Sequence, residues 1–193
     1  MSVKFQLFNQ SISRSLYFAI SLLNLITLGL LNACASIDSD KYENQKPAFV
    51  LEEFFDGQTM AWGIVQNRSG NVVQRFTVNI DGSVEGKTLT LDETFDYSLG
   101  EGVTERVWVI ERGEDGAYTG SAGDILAGAA GQSYGNAFNW SYEMILPVGE
   151  KKYKVRFNDW IWALDENTIM NRAYIKKFGL TFAEVTLFMQ RKP

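Results

Sequence analysis

Histidine is absent from the 193-residue chain, and cysteine occurs once, as Cys34. The first absence removes the commonest general base, the commonest metal ligand and the one side chain that ordinarily titrates near neutrality. The second excludes an internal disulfide, and no catalytic thiol is expected within the fold. Proline is scarce, with three residues against 17 glycines, and aromatics make up 13% of the chain. That balance favours strands joined by tight turns. Basic residues are also few. Lys4 and Arg14 are the charged side chains of residues 1–33, which leaves 16 basic against 23 acidic ones from residue 34 onward, a net charge of −7. Nucleic acid and anionic headgroups repel a surface of that sign, and no basic patch interleaved with aromatics offsets it. Nucleic acid is therefore excluded as a partner. The residue inventory points to no metal site and no cofactor. An enzyme would have to work with carboxylate, tyrosine or arginine alone, so a non-enzymatic role is the expectation.

What is present begins with an address. Lys4 and Arg14 form a positive n-region, and residues 16–31 are free of charge. At about 1.5 Å per residue this run spans roughly 24 Å, short of the ~30 Å hydrocarbon core of a bilayer. It reads as a cleaved signal peptide helix. The run ends at Leu31-Asn32-Ala33-Cys34, which resembles the bacterial lipobox: an aliphatic residue three places before a cysteine and a small one directly before it. Asn32 departs from the small or aliphatic residue usual at the middle position. The resemblance implies that residues 1–33 are removed and that Cys34 becomes the lipidated first residue. Two or more acyl chains anchor a protein stably where one does not. An uncleaved signal anchor is the alternative. Ala35 stands where an aspartate would mark inner-membrane retention. The implied destination is the outer membrane, facing the periplasm, with the inner membrane as the alternative. Residues 34–47 are polar and read as a flexible tether.

Residues 48–193 suffice for one domain around a single core. From Phe49 onward the period is two. In 88–97, Leu89, Leu91, Glu93, Phe95 and Tyr97 share one face, while Thr88, Thr90, Asp92, Thr94 and Asp96 share the other. Residues 136–146 and 72–80 alternate in the same way. Further strands are expected over 59–67, 105–112, 118–122, 125–132, 152–164, 168–177 and 181–190. Turns are expected at Arg68-Ser69-Gly70-Asn71, Asp81-Gly82, 113–116, Gly123-Asp124, Gly135-Asn136 and 147–149. Within 152–164 the apolar phase slips from Tyr153, Val155 and Phe157 to Trp160, Trp162 and Leu164, which a bulge near Asn158-Asp159 would explain. About ten hairpin-linked strands in one domain define an all-β fold. A single antiparallel up-and-down β-barrel of 8–10 strands is expected over a sandwich, because closure removes open edges.

Several short runs recur in a familiar order: Phe54-Phe55-Asp56-Gly57 leading to Ala61-Trp62-Gly63, then Asn67-Arg68-Ser69-Gly70, Asp159-Trp160, Asn171-Arg172-Ala173, Lys177-Phe178-Gly179 and Glu184-Val185-Thr186-Leu187-Phe188. In this spacing they resemble the DUF3833 family of bacterial lipoproteins, over nearly all of the chain after Cys34. The resemblance implies a barrel of the calycin type, which includes the lipocalins, and a lipid-related role. It carries over no catalytic residues. Gly57 and Trp62 are also similar to the glycine and tryptophan of the lipocalin entry motif, at a longer spacing.

Candidate ligand-binding residues are polar or aromatic side chains on apolar faces. Glu93 must find a partner or have its pKa raised. It is either a headgroup or proton-handling residue inside the barrel, or a hydrated or paired one near its mouth. Arg106 and Arg112 share a face with Trp108 and Ile110, and Arg172 shares one with Met170 and Tyr174. Facing inward, a guanidinium could clamp a carboxylate or phosphate; facing outward, its stem would cover aromatic surface. Trp62, Trp108 and Trp140 line a pocket or are simply core, and the same holds for Trp160 and Trp162. Asp159, at the phase slip, is a re-aimed acid or a structural hydrogen-bonding group. Neighbours such as Asp92/Glu93 and Asp165/Glu166 point to opposite faces and form no dyad. The glycine-rich run 120–135 lacks the lysine of a phosphate loop, so small residues that let strands curve explain it better.

The functional expectation is an envelope lipoprotein that binds or escorts an apolar or amphipathic small molecule, such as a fatty acid or lipid, with the membrane as partner through Cys34. The alternative is a non-catalytic interaction module in an envelope assembly, its barrel packed solid. A cavity on the scale of small-molecule sites, roughly 300–1,000 Å³, separates the two.

Overall fold

The computed structural model describes residues 37–193; the segment expected to be a signal peptide, residues 1–33, and Cys34 lie outside the described residues. Ten strands follow one another: β1 (Gly57–Asn67), β2 (Val72–Glu85), β3 (Thr88–Leu99), β4 (Glu105–Arg112), β5 (Ala117–Ala122), β6 (Ile125–Tyr134), β7 (Ala137–Val148), β8 (Lys151–Ala163), β9 (Thr168–Lys177) and β10 (Leu180–Arg191). Each pairs antiparallel with its neighbours in sequence, and β1 pairs with β10, so the sheet closes into an up-and-down barrel. The cause is the alternation itself. Phe76, Val78 and Ile80 of β2, Leu89 and Leu91 of β3, Phe138, Trp140, Tyr142 and Met144 of β7, and Ala173 and Ile175 of β9 are all buried at every second position. No such sequence can bury one face in an open sheet of this size without leaving two bare edges.

Three local expectations are corrected. First, the two-residue period fails over residues 51–55, where a short helix, α1 (Leu51–Phe55), precedes the barrel. Leu51, Phe54 and Phe55 are its buried residues. They stand at i, i+3 and i+4, the spacing of one helical face. Second, Asp81-Gly82 is not a turn, because β2 runs on to Glu85. Gly82 lies against the carbonyl of Phe55, and a β-carbon there would collide with that oxygen. The glycine marks the close approach of α1 to the sheet. Third, β8 has no bulge at Asn158-Asp159. Its register against β7 and β9 is continuous, and Asp159 keeps the inward parity of Val155, Phe157 and Ile161. The apparent slip arises because Trp160 and Trp162 face outward yet are covered. The Tyr42 ring lies 5.9 Å from Trp160 and 6.3 Å from Trp162, and Tyr134 stacks on Trp160 at 6.0 Å. Register shifts do occur elsewhere, at Val65/Gln66, Arg75/Phe76, Leu126/Ala129 and Thr181/Ala183.

Because neighbours alternate in direction, the turns fall into two sets. The β2–β3, β4–β5, β6–β7 and β8–β9 turns share one end with α1. The β1–β2, β3–β4, β5–β6, β7–β8 and β9–β10 turns share the other. The first end is filled: Phe49 contacts Phe54 at 5.8 Å and Phe138 at 6.4 Å, and Tyr118 packs edge-on against Phe138 at 5.3 Å. Glu52 of α1 accepts hydrogen bonds from Arg112 and from the Tyr118 hydroxyl, both at 2.7 Å. Burial alone would raise the Glu52 pKa, but its own backbone N–H, Tyr118 and Arg112 outweigh this and lower it.

Candidate ligand site in the barrel lumen

The strands enclose a cavity of about 1300 Å³ that runs from a floor at Leu51 and Phe55 to a mouth at Gly100–Val103, Pro147–Gly149 and Lys177. Most of its wall is apolar. Val65, Phe76 and Val78 line one side, and Ile175, Val185, Leu187 and Met189 continue it across β9 and β10. Exposed apolar side chains stand at or near the mouth, among them Leu99, Val148, Phe178 and Leu180.

The opposite wall is different. Glu93 and Arg106 are directly paired across β3 and β4, and both face the lumen with 14% of their side chains exposed. Arg106 donates to Asp124 of the β5–β6 turn through Nε at 3.1 Å and Nη2 at 2.6 Å, while its Nη1 lies 4.0 Å from Glu93 Oε2. The guanidinium sits over the rings of Phe95, at 5.7 Å, and Trp108, at 6.0 Å. Trp108 in turn meets Trp140 at 5.7 Å and Tyr142 at 5.3 Å. Asp159 faces the same lumen beside Trp140, its cross-strand partner. Its Oδ1 is buried and accepts no hydrogen bond from the described residues. The glycine-rich run has its use here: Gly120 and Gly131 lie under the Trp140 indole, where a β-carbon at either position would press into the ring.

Electrostatics follow from this burial. The Glu93 carboxyl is pushed from 4.5 up to about 7 because burial disfavours its charge; Arg106 opposes the shift, while Asp124 and Asp92 add to it. Asp159 rises from 3.8 to about 7, again chiefly through burial, with Arg106 pulling down and Glu93 pushing up. Burial likewise drives the Tyr142 hydroxyl well above the ordinary tyrosine range, with Asp159 reinforcing it. For Arg106, burial works against the charge, but the hydrogen bonds it donates to Asp124 and the neighbouring carboxylates outweigh it and hold the pKa above the usual value. Two acids poised near neutrality beside one permanent cation can exchange protons or hydrogen bonds with a guest. Among the described residues no cluster of three or more potential ligands is placed to hold a metal ion.

Of the residues singled out in the sequence, the structure brings Glu93, Arg106, Trp108, Trp140 and Asp159 together in the lumen. It does not bring Trp62 or Arg172 there. Trp62 lies on the outer wall, 45% exposed and 6.0 Å from Phe188, because the inward parity of β1 belongs to Ala61, Gly63 and Val65. Arg172 also points outward and pairs with Glu184 of β10 at 2.7 Å. Its neighbours Asn171 and Ala173 hold the buried positions. Other polar residues of the lumen were not singled out, among them Tyr142, Asp124 and Asn171. Tyr142 shares the alternation of Phe138 and Trp140, a signal that was available. Asp124 read only as a turn residue, and Asn171, which donates to the Trp160 carbonyl at 3.2 Å, gave no sign of being inward.

Among solved structures, the chain is similar to the S-type phycobiliprotein lyase CPES from Guillardia theta, with a TM-score of 0.53 and 13% identity over 81% of this chain and 99% of that one. At that identity the likeness concerns the fold, a lipocalin-like barrel. No curated protein matches the chain. A family model described as "Protein of unknown function (DUF3833)" matches residues 28–191, and the chain belongs to that family.

Proposed function

We propose that this chain is an envelope lipoprotein, lipidated at Cys34, whose lumen binds or escorts an apolar or amphipathic small molecule of the lipid type. The supporting observation is the largely apolar cavity of about 1300 Å³, open at one end. Small-molecule sites usually occupy roughly 300–1,000 Å³ and combine an apolar lining with a few convergent polar groups. A barrel serving only as an interaction module has no need of such space. The anchor follows from the lipobox-like Leu31-Asn32-Ala33-Cys34, and the outer membrane, periplasmic side, from Ala35. No catalytic step is assigned.

Native mass spectrometry of protein purified from its own host, followed by lipid extraction, tests the container role. One lipid-type molecule per chain is expected. Failure to find a co-purifying molecule, together with no uptake of fluorescent fatty acids, would leave the interaction module as the better reading. For the anchor, Cys34→Ala is expected to abolish acylation and processing, read by the intact mass; a variant acylated as the native protein is would rule the anchor out.

A further inference from the structure

We propose that the polar wall of the lumen holds the head of the bound amphiphile, and that it selects a hydrogen-bond-donating head (an amide, a hydroxyl or a protonated amine) over a carboxylate or phosphate. The inference rests on the lumen being a ligand site and narrows what that site takes.

An arginine inside a barrel suggests a clamp for an anion, but here the Nε–Nη2 edge that would grip a carboxylate is already taken by Asp124. Arg106 spends Nε and Nη2 on Asp124, and its Nη1 faces Glu93. Asp124 bonds the guanidinium and Glu93 faces it, while Asp159 lines the same lumen close enough to feel the charges of Arg106 and Glu93. Asp159 Oδ1 is buried, and none of the described residues donates a hydrogen bond to it. A buried acceptor without a partner is costly, so a ligand N–H or O–H brought to it gains more than it would in water. A ligand carboxylate brought to the same place meets like charge and adds further acceptors. The other cation lining the lumen, Lys177, does not change this. It is at the mouth, over the Tyr153 ring at 4.1 Å. It stands four residues along β9 from Ala173, the partner of Asp159, which is roughly 13 Å of strand. The tail of a ligand seated in this way would lie along Val65, Phe76, Val185 and Leu187.

The test is a displacement series at pH 8.5 with the full-length protein and N-phenyl-1-naphthylamine as fluorescent reporter. The competitors are decylamine, decanamide and decanoate, equal in chain length and different in head. The expected result is that decylamine and decanamide displace the reporter at concentrations at least tenfold lower than decanoate. Asp159→Asn, and separately Glu93→Gln, should weaken decylamine at least fivefold and narrow its lead over decanoate. Decanoate matching or beating the other two in the native protein would overturn the inference while leaving the lumen as a ligand site. An unchanged order and spacing of affinities in both folded variants would overturn it too. If the reporter does not enter at all, the container reading fails along with it.

Discussion

The two ends of the barrel differ in how tightly they are packed. At the α1 end, Phe49, Phe54, Phe55 and Phe138 are each at most 5% exposed, and Glu52 is locked by Arg112 and Tyr118. At the other end, Phe178 is 90% exposed, Val148 56% and Leu180 51%. The closed end concentrates the packing that stabilises the domain, and the mouth leaves its tips free of it. Stability and access are thus separated along the barrel axis, with the polar wall between them. Elements that must admit a ligand are drawn from the least stable parts of a fold.

That contrast can be broken at the closed end with the largest effect. Phe138, 1% exposed, contacts Phe49, Tyr118 and Trp140. Phe138→Ala should cost about 4 kcal/mol in urea unfolding. Gly82→Ala should cost about 3 kcal/mol by pushing α1 off the sheet, since the new β-carbon meets the Phe55 carbonyl. Gly123→Ala, at the mouth, has nothing within 4 Å and should be close to neutral.

The middle of the barrel gives a pH signature. Glu93 and Asp159 titrate near 4.5 and 3.8 when unfolded and near 7 when folded. Between those values the folded protein binds more protons than the unfolded chain. Stability is therefore greatest below the unfolded values and declines as pH rises towards 7. For Glu93 alone the decline is on the order of 3 kcal/mol. Glu93→Gln should flatten it, and a native protein whose stability rises over pH 5–7 would contradict the burial of these acids. Smaller still, Arg112→Ala removes a half-exposed pair with Glu52 and should cost about 1 kcal/mol in thermal unfolding. Phe178→Ser should change stability by less than about 0.5 kcal/mol, since its side chain is almost wholly in solvent.

The barrel was legible because alternation is a local property: each strand announces its own inward face. Helix α1 was not, since five residues give barely one turn, although Leu51, Phe54 and Phe55 carried the helical spacing. Trp160 and Trp162 misled for a different reason. Their cover, Tyr42, is more than a hundred residues away in sequence, and no strand pattern records what lies against its outer face. The polar wall was half legible. Glu93 stood out as a carboxylate on an apolar face, whereas the choice between Arg106 inward and Arg172 outward depended on strand parity that the flanking residues left ambiguous. Asp124 becomes visible as a partner only once the β4, β5 and β6 registers are known.

Tryptophan emission offers the most direct measurement of whether the lumen is a container. Trp108 and Trp140 face the cavity, while Trp62, Trp160 and Trp162 lie on the outer wall. Titration with a bromine-labelled long-chain alkyl amide, a short-range quencher, should extinguish the lumen component at one molecule per chain. Trp108→Phe/Trp140→Phe should then lose the quenching while keeping the remaining emission. Quenching that persists in the double variant, or is absent in the native protein, would contradict a ligand inside the barrel.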